Sequence, residues 1–177
     1  MIMRSALVAI GAALTIGTTS AAAQRSVPTR DSLIAADYDW QLLSLRGERT
    51  SLNAFRGQVL IVNSWATWCE PCVAEIRTLL ALRAAVPDSG LAFALIAPQR
   101  REPVAEFVRR RAMTLPVFLE RNAAPAVFRF EGVPTTLIID RTGRIVLRHR
   151  GAAAWDAPKI RALVESLLAP AVAIPPR

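Results

Sequence analysis

Two runs of the chain, residues 59–62 and 91–97, contain no polar position at all, the pattern of strands buried on both faces of a sheet. Between them Val73, Ile76 and Leu80 recur at helical spacing, predicting a helix that Pro87 and Gly90 stop. After the second run, Val104, Phe107 and Val108 place a core stripe on another helix, whose opposite side carries Arg109 and Arg110. Residues 40–45 read as a short strand before a turn at Arg46, Gly47 and Glu48. Further on, residues 116–119 read as a brief strand and 122–130 as a short helix. Residues 135–139 and 144–148 make a hairpin around Arg141, Thr142 and Gly143. The stripe Ile160, Leu163, Val164, Leu167 and Leu168 predicts a closing helix. This order implies a mixed central sheet with helices on both faces, an α/β sandwich over residues 37–168. Residues 24–36 read as a flexible leader and 169–177 as a frayed tail.

Composition narrows the function classes. The chain has 177 residues, 53% hydrophobic and 20% charged, which fits one folded domain and excludes a disordered one. Its net charge of +8 comes almost wholly from arginine, since Lys159 is the one lysine. These arginines are dispersed and accompany no nucleic-acid motif, so nucleic acid is not an expected partner. Two cysteines, Cys69 and Cys72, exclude a multi-bridge scaffold, and a single histidine, His149, leaves a four-ligand zinc site short of partners. No metal site is assigned.

The N-terminus carries export features. Arg4 gives a positive start, residues 6–16 are apolar, and Ala21, Ala22 and Ala23 form a small-residue cleavage site before Gln24. Residues 1–23 therefore read as a signal peptide, or else as an uncleaved anchor, because residues 6–23 carry no charge and reach the lower limit for a membrane span. Contact with a membrane is expected only if this segment stays attached. Either way the folded part faces an oxidising compartment, where a lone cysteine pair cycles only if something supplies or removes electrons.

Cys69-Glu70-Pro71-Cys72 stands between a buried strand and a helix. A cysteine there meets backbone N–H groups with no intrahelical partner and the positive end of the helix dipole, both of which favour the thiolate. Cys72, one turn deeper, lies within reach of a mixed disulfide on Cys69, and Pro71 is tolerated because the first turn has no use for its missing N–H. Lowering a thiol pKa from ~8.5 to ~7 raises the thiolate fraction at pH 7 about 16-fold, while a Brønsted slope of ~0.45 removes nearly fivefold in nucleophilicity. Only about a threefold gain remains, so positioning of the partner disulfide matters more than pKa. As a structural staple, a bridge closing four residues would stabilise by roughly 2 kcal/mol, against nearly 5 for a long loop. A two-thiolate copper or zinc site is the other rival.

The run from Val59 through Asn63, Ser64, Trp65, Ala66, Thr67 and Trp68 to Cys72, followed by Gly132-Val133-Pro134-Thr135-Thr136, resembles the thioredoxin superfamily. Within it the chain is most similar to the TlpA/ResA-like exported thiol-disulfide oxidoreductases, over about residues 36–168. The resemblance implies that Cys69 is the exposed nucleophile and Cys72 the resolving thiol. It implies too that Pro134 is the cis-proline facing the disulfide, with Val133 offering its backbone to a bound partner strand. Cytoplasmic thioredoxins carry a buried Asp six residues before the first cysteine, where this chain has Asn63, which cannot titrate. Glu75 matches an acidic residue of the TlpA/ResA-like branch and is expected to relay the Cys72 proton from a partly desolvated site. Glu70 is expected to be exposed and to tune the local field, and Trp68 to belong with Glu70 and Pro71 to the substrate-facing surface. Trp65 fits, with Trp68, the family's apolar surface around the site, and Trp155 fits its packing. Ser64, in place of the usual aromatic, and the Gln99-Arg100-Arg101-Glu102 stretch depart from the family.

These readings lead to an exported, periplasmic thiol-disulfide oxidoreductase that reduces client disulfides and needs no cofactor besides its Cys69/Cys72 pair. A membrane electron donor of the DsbD/CcdA kind would re-reduce the pair. Resemblance implies clients in cytochrome c or respiratory-oxidase maturation. The rivals are an oxidant of the same fold that inserts disulfides and a non-enzymatic copper-handling module. A peroxiredoxin is disfavoured because its cysteine surround is missing.

Overall fold

The computed structural model describes residues 34–87 and 89–170. The export segment, the first part of the leader and the tail beyond Pro170 lie outside the described residues. In chain order the elements are β1 (Ile34–Ala35), β2 (Gln41–Ser44), β3 (Arg49–Ser51), β4 (Val59–Ser64), α1 (Glu70–Ala85), β5 (Leu91–Ala97) and α2 (Arg101–Arg110). They continue with β6 (Val117–Glu120), β7 (Thr135–Ile139), β8 (Arg144–Arg150) and α3 (Pro158–Leu168). Among the described residues, no helix is long and apolar enough to cross a membrane.

All eight strands form one mixed sheet in the order β1-β8-β7-β4-β5-β6-β2-β3. β4, β5 and β6 run parallel, while β7 lies antiparallel to β4 on its other side. Along β4, Val59 and Ile61 enter one core and Leu60 and Val62 the other; along β5, Phe93 and Leu95 alternate with Ala94 and Ile96 in the same way. Both strands are buried on both faces, which is why β5 and the first four residues of β4 read as apolar runs, while β4 ends on the buried polar residues Asn63 and Ser64.

Helical segments cover each face. The connections β4-α1-β5 and β5-α2-β6 step across the sheet in the same direction, and right-handed crossovers then put both helices on one side. Buried residues of α1, α2 and α3 accordingly share one core with Val59, Ile61 and Leu95. The opposite core holds Tyr38, Trp40 and the 3-10 turns Leu52–Phe55 and Ala126–Phe128, with Trp40 and Phe128 stacked at 5.4 Å.

Four details depart from the sequence reading. Residues 122–130 do not form an α-helix, because Pro125 interrupts the run and only Ala126–Phe128 turns as 3-10. The end of the presumed flexible leader is structured: Ile34 and Ala35 pair with Ile145 and Arg144 of β8. β3, a polar edge strand paired with β2, has no apolar pattern to announce it. The inward face of α1 is Cys72, Glu75, Ile76, Leu79 and Leu82, so Val73 and Leu80 flank the core instead of centring it. The β7–β8 hairpin closes at Gly143, with φ +83° and Tyr38 Cε2 3.0 Å from where a Cβ would stand, so both conformation and space call for glycine.

Candidate active site

β4 ends at Ser64, and residues 65–69 carry the chain over the end of the sheet into α1. Trp65 is buried there, its amide donating to the Ile96 carbonyl at 3.1 Å and its ring resting against Phe107. Trp68 points the other way and is 72% exposed. Between them Gln99, just past β5, grips Thr67 twice. Gln99 Oε1 accepts from the Thr67 amide at 2.8 Å, and its Nε2 donates to Thr67 Oγ1 at 3.1 Å. A lone glutamine in a loop has no sequence signature, so this support was not foreseen.

Cys69 is the N-cap of α1, and its sulfur accepts a hydrogen bond from the Cys72 amide at 3.2 Å. The two cysteines are joined in a disulfide, with Glu70 and Pro71 exposed between them. Cys69 is not exposed as expected: 6% of its surface remains accessible, though Cys72 is wholly buried. Val133 and Pro134, joined by a cis bond, lead into β7, whose Thr135 pairs with Ser64 of β4. Both segments thus lie at the same end of the sheet, and the Pro134 carbonyl accepts from the Gly151 amide at 2.9 Å.

Beneath the disulfide is a buried polar cluster. Glu75, one helical turn after Cys72, is only 2% exposed. Its Oε1 accepts from Asn63 Nδ2 at 2.7 Å, and its Oε2 accepts from Trp155 Nε1 at 3.0 Å and the Ala153 amide at 3.2 Å. Asn63 faces α1 because it continues the side of β4 that carries Val59 and Ile61. In register beside it stand Thr136 of β7 and His149 of β8, and His149 meets the Trp155 ring edge-on. Burial pushes the Glu75 carboxyl above its ordinary range, opposed by the bonds from Trp155, Asn63 and Ala153 and by His149 nearby. Trp155 therefore does more than pack. Its indole N–H holds the carboxylate, which the sequence reading did not anticipate.

Residues 29–164 match the Redoxin family. The chain belongs to that family. It is 30% identical over 116 residues to the thioredoxin-like protein YneN of Bacillus subtilis, covering 64% of this chain and 68% of YneN. It is 31% identical over 113 residues to the thiol-disulfide oxidoreductase ResA of Geobacillus thermodenitrificans, covering 60% of this chain and 63% of that protein. The chain thus spans about two thirds of the length of these curated relatives. A putative thiol:disulfide interchange protein DsbE from Chlorobium tepidum superposes with a TM-score of 0.62 at 22% identity, over 77% of this chain and 96% of the other. A putative thiol-disulfide oxidoreductase from Bacteroides vulgatus superposes with a TM-score of 0.66 at 22% identity, over 77% and 99%. Together these establish a ResA-like member of the thioredoxin superfamily, with the thioredoxin-like fold.

Proposed function

We propose that this chain is an extracytoplasmic thiol-disulfide oxidoreductase that reduces disulfides in client proteins. The observation that carries the reading is the disulfide at the start of α1 with a buried, hydrogen-bonded carboxyl one turn behind it. In the reduced protein the Cys69 thiolate, favoured by the N-terminus of α1, attacks one sulfur of a client disulfide. A new S–S bond joins Cys69 to the client, and the second client sulfur leaves as thiolate. Cys72 then gives its proton to Glu75 and attacks Cys69 Sγ, closing the Cys69–Cys72 bond and releasing the first client sulfur. The client gains two electrons and the pair loses two.

The pair is the only redox group the chemistry requires, so no cofactor enters. The cis-bonded Val133–Pro134 segment supplies backbone for a client strand, with Trp68, Glu70 and Pro71 as the exposed rim. A membrane donor of the DsbD/CcdA kind returns electrons. The motif resemblance to TlpA/ResA-like oxidoreductases favours clients in cytochrome c or respiratory-oxidase maturation, and the export features of residues 1–23 favour a periplasmic location.

Two measurements test this. Cys72→Ser should accumulate a mixed disulfide between Cys69 and a client, and Cys69→Ser should accumulate none; capture through Cys72 instead would reverse the roles. A midpoint potential near or below about −250 mV supports a dedicated reductant, whereas one near about −120 mV makes the protein an oxidant with the same site.

A further inference from the structure

A groove of about 350 Å³ runs away from the disulfide between α1 and α2. Thr67 and Glu70 line its end nearest the cysteines, half-buried Val73 and Phe107 line its apolar middle, and Arg77 and Arg111 are its exposed cations. The Arg111 guanidinium lies 5.4 Å from the Phe107 ring centroid, which orients its charge beside the apolar floor. Among the described residues the ion pairs are Arg109–Glu106, Arg110–Glu106 and Arg150–Glu131, and neither groove arginine takes part in one. Two cations without a carboxylate partner therefore flank an apolar trough that starts beside the bond to be exchanged.

We infer that this groove receives an extended client segment bearing an acidic residue about three positions from the reacting cysteine. The inference rests on the disulfide-exchange reading and names the substrate class of that site. The spacing follows from helix geometry. Arg77 lies seven residues beyond Glu70 on α1, which at ~1.5 Å per residue is about 10 Å, the reach of roughly three extended residues. Glu70, at the cysteine end, repels an acidic residue placed immediately beside the reacting cysteine, so charge selects position as well as sign. The intervening client side chain covers Val73 and Phe107.

The test uses the pre-reduced full chain and two peptides that share one disulfide loop. One peptide carries Asp three positions to either side of the reacting cysteine, and the other carries Lys there. The wild type should react about tenfold faster with the Asp peptide in low salt, and the ratio should shrink towards one in 0.5 M salt as ~4 Å screening sets in. Arg77→Glu combined with Arg111→Glu should invert the preference. Both positions are exposed, and reduction of neutral hydroxyethyl disulfide by this variant should stay unchanged, which shows that its fold and cysteine chemistry are intact. Equal rates for the two peptides, or a preference that survives the double substitution, overturn the inference while leaving the exchange reading standing. A wild type inert toward hydroxyethyl disulfide overturns the exchange reading, and this inference with it.

Discussion

Asn63 Nδ2 donates to Glu75 Oε1 at 2.7 Å and to Thr136 Oγ1 at 2.8 Å, so both of its N–H bonds are used on the α1 side of β4. Its Oδ1 is buried with no hydrogen-bond partner. A non-titrating amide thus meets the buried carboxyl with donors only, and Glu75 is left as the cluster's acid. Asn63→Asp would set two carboxyls face to face, where both cannot ionise together. The folded variant would then hold a proton that the unfolded chain releases near the ordinary carboxyl pKa of 4.5, so its stability should fall as pH rises. We expect the variant to lose about 3 kcal/mol relative to wild type at pH 8 and much less at pH 4.5, read from urea unfolding at the two pH values. Equal losses at both would refute the pairing.

Trp155→Phe keeps an aromatic ring in the core but removes the N–H that reaches Glu75 Oε2 at 3.0 Å. That bond opposes the upward push of burial on the Glu75 carboxyl, so its loss should raise the pKa further. In the proposed mechanism, resolution of the mixed disulfide needs Glu75 ionised before it takes the Cys72 proton. Its pH-rate curve should therefore move to higher pH, with a stability loss of about 2 kcal/mol at neutral pH. Single-turnover rates across pH 5–9 check this, and an unmoved curve would assign Trp155 to packing alone.

The sequence disclosed some of this site far better than the rest. β4 and β5 were legible because burial on both faces makes residues 59–62 and 91–97 wholly apolar, and the Cys69–Cys72 pair stands at a helix start. The inward face of α1 was harder to read, because two of its members, Cys72 and Glu75, look polar in sequence while half-buried Val73 and Leu80 look like core. Residues 122–130 carry helix-like apolar spacing, yet Pro125 supplies no N–H and pushes Ala124 out of the helical region. The Gln99–Thr67 and Trp155–Glu75 contacts join residues 32 and 80 positions apart, which periodicity does not reach.

Gln99 provides a check on the approach to α1. Its two bonds to Thr67 fix the segment that carries Trp68 and Cys69. Gln99→Ala should cost about 1–2 kcal/mol and raise hydrogen exchange at the Thr67 amide. Gln99→Glu retains an oxygen for that amide and another for the Thr67 hydroxyl, so it should restore protection. Protection unchanged in the Ala variant would show that the segment is held by its packing and by the Trp65–Ile96 bond.

Glu75→Gln separates the contribution of this residue to folding from its contribution to chemistry. Because burial raises the folded-state pKa, wild-type protein holds the Glu75 proton over a range where the unfolded chain has lost it. The stability linked to that proton is fully present below pH 4.5 and is lost as pH rises through the folded pKa. A glutamine has no proton to lose, so this downward slope should be missing from the variant's stability curve. Its amide can also be accommodated. Rotating the Asn63 side-chain amide brings Oδ1, now without a partner, towards the new N–H group, and the Thr136 hydroxyl can then donate to that same oxygen. The Trp155 and Ala153 donors keep an oxygen to bond. Folding should therefore survive the substitution, whereas resolution of the mixed disulfide should slow by about 100-fold and lose its pH dependence between pH 5 and 8, since no carboxylate remains to take the Cys72 proton. Chemical unfolding from pH 4.5 to 8, run beside single-turnover kinetics, reads both effects. A variant that resolves mixed disulfides at the wild-type rate would remove Glu75 from the proton path.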